Sequence, residues 1–209
     1  MPTSHFTPPP RWIPSKPAIV VAGGSSIVPR QLKLLEDVPN IITVNNMFRY
    51  LPDDVLICYA GDYQWWAEYH SLVTGCTLAA LWTGDYSAAE KFQLNYTQCL
   101  LDRFGIGRTH LVHGGNSGYQ AMNLAYLLGA THIILLGFDC MYGPAGQRHY
   151  YPDHPKHFNA NADQIKSWAA HFGYASKFFK GEGVRVVNCS TFTALTCFER
   201  GHLEDWINI

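Results

Sequence analysis

A chain of 209 residues with 47% apolar and only 15% charged side chains has material for one α/β core under a thinly charged surface. Its 15 basic residues against 16 acidic ones leave a net charge of −1. That balance argues against nucleic acid as a partner, because phosphate neutralisation needs a basic excess.

Residues 1–17 hold Pro8, Pro9, Pro10, Pro14 and Pro17 and read as an irregular arm, without the apolar core of a secretory signal. From residue 18 onward short apolar runs alternate with helical stretches. Residues 18–22 form a continuous apolar run, expected of a strand buried on both faces. A helix is predicted to open near Val28 and Pro29, where proline suits a first turn. Strands are predicted at 40–44, 55–59, 77–82 and 109–112, with a Trp-rich helix after Gly61 and Asp62. Ala121, Leu124, Ala125 and Leu128 mark one face of a helix that Gly129 stops. Residues 132–136 read as a central strand ending at Gly137, Phe138 and Asp139. Residues 140–162 carry no periodicity, and a loop that long in a compact domain calls for a function. A helix over 163–180, a strand over 184–187 and a short helix over 192–198 complete the pattern. No apolar run approaches the roughly 18 residues of a membrane span. Six scattered cysteines without a CxxC pair, several in apolar runs, are expected to be buried and reduced, which places the chain in the cytoplasm.

Such alternation means a mainly parallel sheet with helices on both faces, and ligands bind such sheets beyond the carboxyl ends of their strands. Gathered there are Gly23, Gly24, Ser25 and Ser26; Asn45 and Asn46; Gly61 and Asp62; Asn116, Ser117 and Gly118; Asp139; and Asn188 and Ser190. Any one of these groups makes ordinary turns and caps. Together on one edge they point to a nucleotide-type small molecule: glycines admit a ligand to the backbone, and helix N-termini attract anionic oxygens. The turn at residues 23–26 is neither GxGxxG nor a P-loop, and GxSxG is absent.

The residues Ala22-Gly23-Gly24-Ser25-Ser26, Val44-Asn45-Asn46, Asn116-Ser117-Gly118 and Gly137-Phe138-Asp139 with Tyr142 resemble those of the bacterial α-2,3-sialyltransferases of the Campylobacter type. They are also similar to the hydroxymethylpterin pyrophosphokinase-like group, and nearly the whole chain looks like small phage-encoded proteins of unknown role. The resemblance implies a single Rossmann-like domain over 18–209, metal-independent transfer of a sugar from a nucleotide donor to a hydroxyl, and, if phage-encoded, residence in host cytoplasm. It implies that Asn45 or Asn46 with Ser117 and Gly118 hold the nucleotide, and that Tyr142 and Tyr150 meet the leaving phosphate. It further implies that a histidine among His149, His154 and His157 takes the acceptor proton, a role suited to imidazole. His113-Gly114-Gly115 stands where that family carries an arginine.

Residues 148–157, with Arg148, His149, Tyr150, His154, Lys156 and His157, admit three readings: incidental loop histidines, a base with a phosphate clamp, or metal ligands joined by Asp139 or Asp153. The favoured expectation is a glycosyltransferase-like enzyme with no resident cofactor, His154 or His149 as base. Its rivals are a pyrophosphokinase with Mg²⁺ on Asp139 or Asp62, and a non-catalytic phage assembly or host-interaction protein. Tyr63, Trp65, Trp66 and Tyr69 are expected in the core or at a subunit interface. The sparse surface charge makes a homo-oligomer one expectation.

Overall fold

The computed structural model of the chain describes residues 9–51, 55–76, 79–101, 104–152, 154–155 and 159–207. Ten strands are described: β1 (Ala18–Val21), β2 (Ile41–Val44), β3 (Ile57–Tyr59), β4 (Ala80–Thr83), β5 (Asn95–Tyr96), β6 (Cys99–Leu100), β7 (Leu111–Val112), β8 (His132–Leu136), β9 (Arg185–Asn188) and β10 (Glu199–Arg200). Eight of them form one sheet in the order β10-β9-β8-β1-β2-β3-β4-β5, and every pair in it is parallel. The helices are α1 (Pro29–Lys33), α2 (Tyr63–Cys76), α3 (Tyr86–Phe92), α4 (Ser117–Leu127) and α5 (Ala162–Glu182). This is an α/β, Rossmann-like arrangement.

The alternation of side chains along each strand divides the core. Ile19, Val21, Ile134 and Leu136 pack on one face with Leu32 of α1 and Trp65 and Trp66 of α2. Val20, Ile42, Ile133 and Leu135 pack on the other with Met122 and Leu124 of α4 and Phe172 and Phe179 of α5. Trp65 and Trp66 are thus core residues, with Trp66 Nε1 donating to the Ala60 carbonyl at 3.0 Å.

The order in which strands are added to the sheet reverses at β1. Strands β2 to β5 follow outward on one side of it, and β8 to β10 are added on the other. Ligands of open parallel sheets sit where the order reverses, so the edge between β1 and β8 is the place to look.

Several expectations need correction. Residues 192–198 are irregular rather than helical, because tertiary partners hold their polar groups: Ala194 N donates to the Asp139 carbonyl at 2.7 Å, and Thr193 Oγ1 to the Phe138 carbonyl at 2.6 Å. The strand at 109–112 shortens to β7 and pairs with β6 in a separate two-stranded sheet. Helix α3 and a 3₁₀ helix at Asn45–Tyr50 were not anticipated. Asn40, read as the first residue of a strand, has φ 59° and clamps the arm, accepting from Ile13 N and donating to the Ile13 carbonyl. The described part of that arm buries Trp12 in the core. The cysteines Cys58, Cys99, Cys140, Cys189 and Cys197 are free.

Candidate functional site

A cleft opens where the sheet order reverses. Its floor is the turn after β1 and the end of β8, the N-terminus of α4 forms one side, Met141, Arg148, His149, Tyr151 and Ala160 of the loop after β8 cover another, and Ile165 and Trp168 of α5 close the rim. Glycine is required at the floor. Gly24 N donates to the Gly137 carbonyl at 3.0 Å, and a Cβ on Gly24 would stand 2.5 Å from the Asp139 carboxyl carbon. A Cβ on Gly23 would meet Tyr151 Oη at 2.6 Å.

Asp139 locks this floor. Its carboxylate accepts from Ser26 N at 2.8 Å, from the Ser26 hydroxyl, and from Ser25 Oγ at 3.4 Å. Burial pushes its pKa up to about 6, against the opposing pull of the serine hydrogen bonds.

Asn45 and Asn116 differ from the other polar groups here. Asn45 leaves β2 in the left-handed region at φ 51°, which asparagine tolerates better than most residues. Asn116 caps α4, its Oδ1 accepting from Tyr119 N at 2.9 Å. Both line the cleft. Asn45 Oδ1 and Asn116 Nδ2 are closed off from solvent, and neither has a hydrogen-bond partner among the described residues. Buried polar atoms are ordinarily paired, so an acceptor and a donor left open in one cleft mark places for ligand atoms. Beside them α4 turns its N-terminus inward at Ser117 and Gly118, where helix N–H groups lack intrahelical acceptors.

The loop folds back over the floor through Tyr150 N, which donates to the Gly23 carbonyl at 3.0 Å. Tyr151, buried, lines the cleft and stacks against His149, ring centres 5.0 Å apart and planes at 9°. Behind Tyr151 lies His154, its Nε2 3.2 Å from Tyr151 Oη and its Nδ1 3.4 Å from Tyr69 Oη. Burial raises the Tyr151 hydroxyl well above its ordinary pKa, so it stays protonated and able to donate.

Gly23, Gly24, Asn45, Asn116, Ser117, Gly118, Asp139 and His149 therefore line one cleft. The remaining expected residues stand elsewhere. Ser25 supports Asp139 from outside the lining. Asn46 is buried and accepts from Trp65 Nε1 at 3.0 Å. Asp62 heads α2, its carbonyl accepting from Trp66 N. The protein crowding its otherwise accessible carboxyl raises the pKa, His113 opposes that, and Asp85 adds to it. Tyr142 lies under the Arg148 guanidinium, 5.7 Å from the ring centre. Tyr150 packs edge-on against Tyr50. Asn188 and Ser190 are buried and tie the strand ends together: Asn188 Nδ2 donates to the Phe138 carbonyl, and Ser190 Oγ accepts from Phe138 N at 2.8 Å. Asp153, Lys156 and His157 lie outside the described residues. Sequence reasoning passed over Trp168 and held Tyr151 only as one of the loop tyrosines that could meet a phosphate. Nothing periodic in the loop singles out Tyr151, whereas Trp168 shares an i, i+3 spacing with Ile165 that could have been noticed.

Among the described residues no group of three His, Cys, Asp or Glu side chains is placed to hold a metal ion, and no helix is long and apolar enough to cross a membrane. No protein-family model matches the chain, and no curated protein does. Among solved structures it is similar to the sialyltransferase CstII from Campylobacter jejuni, in a structure described as a complex with a substrate analogue, cytidine-5'-monophosphate. The TM-score is 0.54 at 11% identity, covering 89% of this chain and 84% of that one. The likeness is one of fold.

Proposed function

We propose that this chain transfers a sugar from a nucleotide-activated donor to a hydroxyl acceptor, in the cleft between β1 and β8, without a metal ion. The observation that carries this reading is the pair of open polar atoms, Asn45 Oδ1 and Asn116 Nδ2, beside the α4 N-terminus. A nucleoside phosphate satisfies them together: its sugar hydroxyls and base edge donate and accept, while its phosphate meets the helix N–H groups. The fold shared with a cytidine-monophosphate-bound sialyltransferase supports the same ligand class.

In this scheme the acceptor oxygen attacks the anomeric carbon, its proton passes to His149, and the bond from that carbon to the phosphate oxygen breaks. The departing phosphate keeps the electron pair. Tyr151 Oη, the Arg148 guanidinium and the α4 N-terminus receive its charge. His149 is preferred over His154 as base because it lines the cleft, whereas His154 lies behind Tyr151 with a tyrosine hydroxyl at each ring nitrogen. His154 and Tyr69 then position the Tyr151 hydroxyl.

A thermal-shift series with CMP, UDP, GDP, ADP and ATP, each with and without Mg²⁺, tests the reading, since a ligand that binds the native state raises the midpoint by mass action. Metal-independent stabilisation by one nucleotide is expected. Stabilisation only by ATP with Mg²⁺ would replace the reading with phosphoryl transfer, and no response at all with a non-catalytic cleft. His149→Ala is expected to lower turnover by about 100-fold or more while the nucleotide-induced shift remains. Full turnover in that variant would remove His149 from its role.

A further inference from the structure

Beyond Trp168, one ridge of α5 carries two further aromatic side chains. On α5, Ile165, Trp168, His171 and Tyr174 follow one another at three-residue spacing along one ridge of the helix. The first two line the cleft. The third is joined to the α4 approach, His171 Nδ1 lying 2.9 Å from the Gly114 carbonyl. Gly115 lies so near Trp168 that a Cβ there would stand 2.8 Å from its Cδ1. The fourth, Tyr174, is 51% exposed, and beside it stands Phe104, 68% exposed.

Phe104 lies 5.2 Å from His171 and 5.6 Å from Tyr174, centre to centre, with planes at 44° and 34°. Neither pair is closed edge-to-face. Nor is Phe104 a loose side chain that failed to find the core. The turn that follows it is anchored twice by α4: Tyr119 Oη donates to the Gly105 carbonyl at 2.7 Å, and buried Asn123 accepts from Gly107 N and donates to the Gly107 carbonyl, both at 3.0 Å. Hydrogen bonds to α4 thus fix the turn beside a phenylalanine that stands in water, where it loses the stabilisation of burial.

We propose that His171, Tyr174 and Phe104 form a stacking track for a carbohydrate chain, continuous with the cleft through Trp168. The chemistry suits a pyranose: one face of such a ring presents C–H bonds, partially positive, to the negative face of an aromatic ring, while its hydroxyls remain in water. Identifying that carbohydrate as the acceptor rests on the transferase reading above; binding to the track does not. A chain laid along the ridge would bring its end past Trp168 to His149 in the cleft.

The test uses the full chain and saturation-transfer NMR with methyl glucoside, methyl galactoside and methyl N-acetylglucosaminide at millimolar concentration. At least one glycoside is expected to receive saturation at its ring C–H protons. The double substitution Phe104→Ala with Tyr174→Ala, both exposed positions, should weaken that binding about tenfold. The nucleotide-induced thermal shift of the same variant should be unchanged. Nucleotide binding without glycoside signal, or a signal the double variant retains, overturns the track and leaves the transferase reading standing. Glycoside binding without any nucleotide response keeps the track and removes the transferase reading. Sedimentation velocity covers the remaining occupant: a dimer dissociated by the double substitution would show that the rings face a second copy of this chain, and the proposal would fall.

Discussion

The turn after β9 and the turns that open the cleft are made of the same residue types, yet their polar groups are used in opposite ways. At the first, Asn188 donates to the Phe138 carbonyl and accepts from Ser190 N at 3.0 Å, and Ser190 accepts from Phe138 N. Both residues are buried and fully engaged. At the second, Asn116 uses Oδ1 on its helix and keeps Nδ2 open, and Asn45 keeps Oδ1 open. One set closes the structure and the other leaves two polar atoms without a partner among the described residues. Asparagine at a strand end is therefore no guide to function until its partners are known.

The largest effect that sharpens this contrast is expected at Asn188. Asn188→Leu leaves the buried Ser190 N–H without its acceptor and should lower stability by about 3 kcal/mol or more, read by urea unfolding. Nucleotide binding by whatever folded protein remains should be unaltered. A variant of full stability that no longer bound nucleotide would reverse the assignment of the two turns.

Next comes Asp139, which belongs to both settings because it lines the cleft and locks its floor. Its pKa rises from 3.8 to about 6 on folding. The native chain therefore holds a proton, between those values, that the unfolded chain has released. The stability contributed by this group is present in full below 3.8 and is lost as the pH rises through about 6. The decline amounts to something on the order of 3 kcal/mol. Asp139→Asn should flatten that slope, measured as the difference in unfolding free energy from wild type at about pH 4 and about pH 7. An identical pH profile in both proteins would show that the carboxyl does not titrate in this window.

Ser190→Ala removes the acceptor of one buried N–H and should cost about 1–3 kcal/mol, again without changing the nucleotide-induced thermal shift. The smallest effect on stability is expected at the open turn. Asn116→Asp keeps the helix cap, and the helix dipole offsets part of the cost of setting a carboxylate oxygen where a shielded amide nitrogen stood, so stability should fall by less than about 1 kcal/mol. It exchanges the open Nδ2 donor for a carboxylate oxygen, and affinity for a nucleoside phosphate should fall about tenfold or more, read by calorimetry. Unchanged affinity would show that Asn116 faces no ligand.

The fold was largely legible because its signals are local. Apolar runs such as residues 18–21 and 133–136 are continuous because those strands are buried on both faces, and the period of α4 is carried by Ala121, Leu124, Ala125 and Leu128. Residues 192–198 misled for the complementary reason. The Ala194 N–H and the Thr193 hydroxyl are taken by the carbonyls of Asp139 and Phe138, more than fifty residues away in the chain, and no local pattern announces that.

The candidate site divides along the same line. Sequence by itself determined the class of residues at the carboxyl edge of a parallel sheet: glycines where backbones approach, asparagines and serines at turns, and a long aperiodic loop after Asp139. It could rank neither His149 against His154 nor Tyr150 against Tyr151, since neighbours in an irregular loop carry no periodicity that says which way each faces. Tertiary structure decided which of each pair lines the cleft, by stacking Tyr151 on His149 within it and closing His154 behind between two tyrosine hydroxyls. The physical reason is that periodicity encodes which face of an element is buried, whereas the partners of a polar atom depend on what the rest of the chain brings to it.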